Sequence, residues 1–208
     1  MRKRGLNLVV AVILLFPAAV CQGVRIPLEI FTENSPYAND PGWDLYVDVW
    51  DGTGVVNFTF YNGSSLQSSV ARIFYDDGSL LGVDEVINSD DYTFFKKVPA
   101  PQPLPGWDIL VPPFEADREY SIGTPNPPPW KGVNDGDIAN EWVTIRFNLI
   151  NGGTLDDVID ELNSAVLRIG VYIIDLPEGY TESAVTPEPA TVALLGLGTL
   201  FVLRRRRR

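Results

Sequence analysis

Carboxylates and indoles are the side chains in this sequence with the most chemistry to offer. There are 27 Asp and Glu residues, five Trp and eight Tyr, against no histidine and a single cysteine, Cys21. Without histidine there is no Ser-His-Asp or Cys-His triad and no imidazole-held zinc, and one cysteine allows neither an intrachain disulfide nor a CxxC pair. Acid chemistry remains. Two carboxylates flanking a glycosidic bond suffice to hydrolyse it, and Glu141, beside Trp142, is the first acid to consider, although its position reads as the start of a strand. Asp76-Asp77, Asp90-Asp91 and Asp135 with Asp137 offer the hard oxygens that calcium prefers. None of them completes the D-x-[DN]-x-[DN]-G-x5-E pattern, and Asp-Gly and Asn-Asp-Gly serve ordinary turns. The sequence therefore assigns no catalytic residue and no metal ligand, leaves calcium as the one candidate ion, and predicts a protein that is not an enzyme.

The aromatic residues are a second resource. Trp43, Trp50, Trp107, Trp130 and Trp142 could stack on sugar rings, although most aromatics in a β-rich protein pack against its own strands. Trp50 and Tyr46 stand apart, because the alternation of Leu45, Val47 and Val49 places them on the opposite face. Asn57-Phe58-Thr59 and Asn62-Gly63-Ser64 have the glycosylation-acceptor pattern.

Charge narrows the partners. The formal net charge is −11, but eight of the 16 basic residues are Arg2, Lys3, Arg4 and Arg204 to Arg208. The body between keeps 8 basic and, leaving out Glu188, 26 acidic residues, a charge of −18. Such a surface repels phosphate backbones, so nucleic acid is not an expected partner, and it suits solubility outside the cell.

The elements that must position these residues are mostly strands. Odd-numbered apolar residues in 43–49 and the alternation of Val56, Phe58 and Phe60 with Asn57, Thr59 and Tyr61 predict two strands joined as a hairpin by 51-DGTG-54. The text 70-VARIFYDDGSLLGVDEVI-87 reads as another hairpin turning at Asp76-Asp77-Gly78, and Tyr92 to Val98 as a further strand. Ten of the 17 prolines fall between Pro99 and Trp130. That composition predicts a long ordered loop with a short strand near Trp107 to Val111; an interdomain linker is the alternative. Val143, Ile145, Phe147 and Leu149 mark a strand, and Leu167, Ile169, Val171 and Ile173 another. Between them 154-TLDDVIDELN-163 reads as a helix, capped by Thr154 with Asp157 at the capping-box position and an apolar stripe of Leu155, Val158, Ile159 and Leu162. Asp175 to Thr186 reads as a polar linker. Some seven strands and one short helix predict a mainly β protein, an antiparallel, jelly-roll-like β-sandwich over residues 22–180.

The two ends are of another kind. Residues 1–21 have the basic start, the apolar run Leu8 to Val20 and the small residues of a cleavable signal peptide, which implies the Sec machinery as a partner. Lipidation of Cys21 is the competing reading, disfavoured by the bulk of Val20. In the segment 181–208, Pro187-Glu188-Pro189 precedes fourteen residues, Ala190 to Leu203, that are largely apolar, and then Arg204, Arg205, Arg206, Arg207 and Arg208. As a helix that run spans about 21 Å against a hydrocarbon core of about 30 Å, with the arginines on the cytoplasmic side and the body outside.

This arrangement closely resembles the PEP-CTERM sorting signal of bacterial exported proteins. The resemblance implies recognition of Pro187, Glu188 and Pro189 by exosortase, a membrane-embedded processing enzyme, with Arg204 to Arg208 as the cytoplasmic basic anchor. It also implies transient anchoring by a C-terminal transmembrane tail, then delivery to the cell surface or an exopolysaccharide-containing matrix. The stretches 70-VARIFYDDGSLLG-82 and 154-TLDDVIDELNSAVLRIGVYI-173 are similar to β-rich cores of other such proteins, without an activity to transfer. The expected function is that of an exported, non-enzymatic surface or matrix protein; the alternative is a carbohydrate-binding or carbohydrate-cleaving sandwich carrying the same signal.

Overall fold

A computed structural model describes residues 23–52, 54–76, 81–89, 95–97, 103–122, 132–136 and 140–188. The stretch 1–21 expected to be a signal peptide, with Cys21, and the tail from Pro189 onward with its five arginines, lie outside the described residues. Two antiparallel sheets stack face to face. The first contains β1 (Gly23–Pro27), β3 (Leu45–Gly52), β4 (Val55–Asn62), β6 (Leu81–Asn88) and β10 (Val143–Leu149), in the order β1-β3-β4-β10-β6. The second contains β2 (Glu29–Ile30), β5 (Ser69–Asp76), β7 (Phe95–Lys97), β8 (Arg118–Ile122), β11 (Arg168–Ile174) and β12 (Glu182–Val185). Its order is β2-β12-β11-β5-β8-β7, and the short β9 (Val133–Asn134) also pairs with β5.

The period-two patterns behave as strand physics requires. In the β3–β4 hairpin Val47 lies opposite Phe60 and Val49 opposite Phe58, all turned inward and buried. Ile145 and Phe147 from β10 and Ile73, Tyr75, Ile169, Val171 and Ile173 from the second sheet complete one core. The ring of Tyr75 meets Phe147 edge-on at 5.0 Å and Phe58 at 5.4 Å, the geometry that aromatic quadrupoles favour. Helix α1 (Leu155–Asn163) follows β10, with Thr154 as N-cap and the reciprocal Asp157 bond both in place, and buries Val158 and Leu162.

β5 explains much of the remainder. Its inward residues, Ile73 and Tyr75, face the shared core, but Phe74 points the other way and is equally buried. A strand that is apolar on both faces needs two covers, and the proline-rich segment supplies the second. Leu104 and Phe114 form an outer cluster with Phe74 and Val185. The cover sits so close that a β-carbon added at Gly170 would lie 2.6 Å from the Leu104 side chain. Residues 103–117 thus form the ordered loop expected, not an interdomain linker.

Four expectations need correction. β5 and β6 are both strands, but they do not form a hairpin: β5 pairs with β11 and β8, and β6 pairs with β10 in the other sheet. Both edges of β5 were already taken, so the chain crosses over, and from β4 to β7 it alternates between layers in a jelly-roll manner. Trp107–Ile109 is a 3-10 turn, and the strand of this region is β8 instead. The segment 175–186 is no linker, because Glu182–Val185 is a fully buried strand paired with β11 and β2. The second sheet therefore includes Glu182–Val185, with Thr186 hydrogen-bonded to Ile169 beside it. Finally, β1 and β2 precede the first strand that the sequence pattern revealed.

Candidate functional site: the strand exit and the outer face of the first sheet

Two places bring the candidate residues into focus. At the first, the chain leaves the sandwich. Glu182 is fully buried, and hydroxyl and amide donors take the place of a cation beside it. Its Oε2 accepts from Thr32 Oγ1 (2.5 Å) and Asn34 N (3.3 Å), and its Oε1 accepts from Ser35 Oγ (2.6 Å). Ser183 N in turn donates to Thr32 Oγ1 at 2.8 Å. These bonds make four residues of unremarkable composition an integral strand, since a buried carboxylate is tolerated only when its lone pairs are occupied. The ladder continues one residue further: Thr186 N donates to Ile169 O (2.9 Å) and Ile169 N donates to Thr186 Oγ1 (3.2 Å). Pro187 has no N–H, so the pairing stops there. Pro187 and Glu188 are half-buried at the surface, while Pro189 and Arg204 to Arg208 lie beyond the described residues. No spacer separates the candidate motif from the folded body.

Arg168, at the start of β11, organises the same end. Its Nε donates to Asp76 Oδ2 at 3.1 Å, its Nη2 bonds the same oxygen, and its Nη1 and Nη2 donate to the carbonyls of Pro112 (2.7 Å) and Pro113 (2.6 Å). The guanidinium lies 5.3 Å from the centre of the Phe114 ring. A fork of five donors suits this task, because one side chain fastens the loop to two strands.

The second place is the outer face of the first sheet. Tyr46 and Trp50 project there from β3, as the alternation predicts, and β1 brings Arg25 across from Asp48. The pair is bidentate, at 2.8 and 2.9 Å, and the guanidinium sits 3.8 Å above the Tyr46 ring, which stacks on Tyr61 at 5.0 Å. Trp50 Nε1 donates to Thr59 Oγ1 (3.1 Å), and Thr59 shares a 2.8 Å hydroxyl bond with Thr144. Gly23, Arg25, Asp48, Trp50 and Tyr61 line an open depression of about 620 Å³. The hydrogen bond to Asp48 pushes the Arg25 pKa up, against its own desolvation. Burial raises the Tyr46 and Tyr61 phenols, and the Asp48 charge adds to both. The arrangement holds a fixed cation, a carboxylate and two aromatic faces around a shallow hollow. The alternation of β3 and β4 already turns Asp48 and Tyr61 to this face, but Arg25 escaped sequence reading because β1 shows no alternation.

The acids considered first are engaged elsewhere. Glu141 Oε2 accepts from Asn134 N (2.9 Å) at the start of β10, Asp76 is held by Arg168, and Asp135 Oδ1 accepts from Ser68 N (3.1 Å). Asp77, Asp90, Asp91 and Asp137 lie outside the described residues. Among the described residues no three acids come together as a metal site. Both glycosylation tripeptides have their asparagine inside the fold: Asn57 accepts from Arg146 Nε (3.2 Å), and Asn62 donates to Ser68 Oγ (3.1 Å) and Val133 O (3.3 Å). Trp43 is tied by its indole N–H to Tyr37 O (2.8 Å), and Trp130 lies outside the described residues.

Comparison with known proteins bears on the strand exit. Residues 185–208 match the family model of the PEP-CTERM protein-sorting motif. The chain thus carries the signal of an exported protein that is sorted through a membrane-anchored tail and processed by exosortase. The match starts at Val185, the last residue of β12, so signal and sandwich overlap by a residue of strand and the Thr186 that extends it. No curated protein and no solved structure matches the chain.

Proposed function

We propose that this chain is a non-enzymatic structural protein of the cell surface or extracellular matrix. On this reading it is exported through the Sec machinery, anchored by its tail and released by exosortase into an exopolysaccharide-containing surround. The observation that carries the reading is the sorting match abutting the last core strand. The internal engagement of Asp48, Asp76, Asp135, Glu141 and Glu182 supports a role in shape and solubility without catalysis, and without a required ion. The test is a stop codon after Thr186 in the native host. The reading expects the body in the periplasm or medium, unprocessed, and delivery to the surface unchanged by the truncation would overturn it.

The depression beside Trp50 favours one alternative, a sugar-contacting face. A glycan array probed with the mature body and with Trp50→Ala distinguishes the two. Binding that the substitution abolishes supports the alternative, and silence across the array leaves the structural reading ahead.

A further inference from the structure

The large apolar side chains left exposed among the described residues are Val24, Trp107, Ile109, Val111, Ile150 and Val166. Singly exposed apolar residues are ordinary, as Val24 on β1 and Ile150 after β10 are, but three of the remaining four, Trp107, Ile109 and Val111, lie on the cover loop, and Val166 precedes the strand that the loop is fastened to. Val166 (52% exposed) lies two residues before Arg168, and Val111 (81%) adjoins Pro112, whose carbonyl Arg168 holds. The β11–β12 register, Gly170 with Val185 and Ile169 with Thr186, brings Arg168 beside Pro187. Val111 and Val166 therefore flank the point where the chain exits. Ile109 (62%) and Trp107 (38%), with the exposed Asp108 between them, follow in the same fringe along the cover loop toward Thr32 and the start of β12.

The length of chain beyond the exit decides what faces this fringe. Between Thr186 and the apolar run at Ala190 stand three residues, Pro187, Glu188 and Pro189. Fully extended, they span about 10 Å. The headgroup layer on each side of the hydrocarbon is about 5–7 Å deep. The tether exceeds that depth by at most about 3–5 Å, so the residues around the exit stay at the headgroup surface, a layer that suits tryptophan with aliphatic neighbours.

We propose that, while the tail is anchored, the sandwich lies against the lipid surface on this fringe, with Val111 and Val166 at its centre and Ile109 and Trp107 beside them. The proposal rests on the tail being a membrane anchor. α1 has its C-cap at Ser164, four residues before β11 begins at Arg168, and its exposed acids Asp156, Asp157 and Asp160 direct the contact to zwitterionic lipid, since anionic headgroups would repel them.

The experiment uses the full chain in a Cys21→Ser background, with one cysteine at a time carrying an environment-sensitive fluorophore, in phosphatidylcholine vesicles doped with spin-labelled lipid. The positions are Val111→Cys and Val166→Cys at the fringe, Gln67→Cys at the far end of the sandwich, and Gly198→Cys in the tail. The expected result is deep quenching at 198, shallow quenching with a blue-shifted emission at 111 and 166, and neither at 67. Adding Ile109→Asp should reduce the quenching at 166. Quenching at 198 with 111 and 166 as unaffected as 67 overturns the docking alone. An unquenched 198 removes the anchor reading, and the docking falls with it.

Discussion

Arg168 shows how a single side chain can hold the architecture at the place where function is exported. It is nearly buried, and it joins Asp76 on the neighbouring strand to two carbonyls of the proline-rich cover. Arg168→Met keeps the stem but strands the Asp76 carboxylate and both carbonyls. Loss of one partner from a buried pair costs about 3–5 kcal/mol, and the partial exposure of Asp76 puts the expected loss near the lower figure, about 3 kcal/mol, measured by urea unfolding. The tyrosines on the opposite sheet give a second prediction. Because burial raises the folded phenol pKa of Tyr46 and Tyr61 above the ordinary value of 10.0, their contribution is complete below that pH and is lost as the pH rises through the folded values. Spectrophotometric titration should show two phenols ionising late, and Tyr61→Phe should flatten the alkaline loss of stability. Single residues were unevenly legible in the sequence. The alternation of β3 correctly turned Tyr46 and Trp50 outward, but nothing local announces that Arg25 bonds Asp48, 23 positions away.

At the scale of elements, legibility followed how far each strand relies on apolar periodicity. β3, β4, β10 and β11 are apolar on one face, and α1 carries its cap and stripe in ten consecutive residues, so local rules suffice. The β5–β6 hairpin misled because a turn signal specifies a reversal, while the partner is chosen by whichever edges remain free. β12 was illegible for another reason: Glu-Ser-Ala-Val is polar text, and only the donors of Thr32, Asn34 and Ser35, about 150 positions earlier, make its burial favourable. Truncation tests this directly. A body ending at Thr186 should unfold cooperatively at the full chain's midpoint, whereas one ending at Tyr180 loses β12, uncovers Val171 and Ile173 along β11, and should give a broad, early transition by circular dichroism. Helix α1 has its own pH dependence. Thr154 hydroxyl and amide bonds lower the Asp157 pKa below 3.8, so the capping contribution is present at neutral pH and is lost as the pH falls through that depressed value. Asp157→Asn should remove this part of the acid limb while leaving the fold intact.

For the whole molecule, the absence of a spacer couples three things that a longer tether would separate: the stability of the last strand, the accessibility of the sorting motif and the distance of the body from the bilayer. Thr186 is hydrogen-bonded into the second sheet while Pro187 already belongs to the motif, so an enzyme closing around Pro187-Glu188-Pro189 meets the sandwich at once. Either the active site admits a folded domain at its rim, or the Thr186 end of β12 frays first. Local opening of strand ends costs far less than global unfolding, so fraying is the accessible route. Twelve Gly/Ser residues inserted between Thr186 and Pro187 separate the possibilities, because such a linker gives a mean reach of about 20 Å and lifts both constraints together. If fraying limits processing, the inserted chain should be processed faster than the natural one in the native host, and a label at Val111 should lose its lipid quenching in vesicles while Gly198 keeps it. An unchanged processing rate, with quenching at Val111 lost, would mean that the enzyme accepts the folded edge and that the short tether serves only to hold the sandwich down.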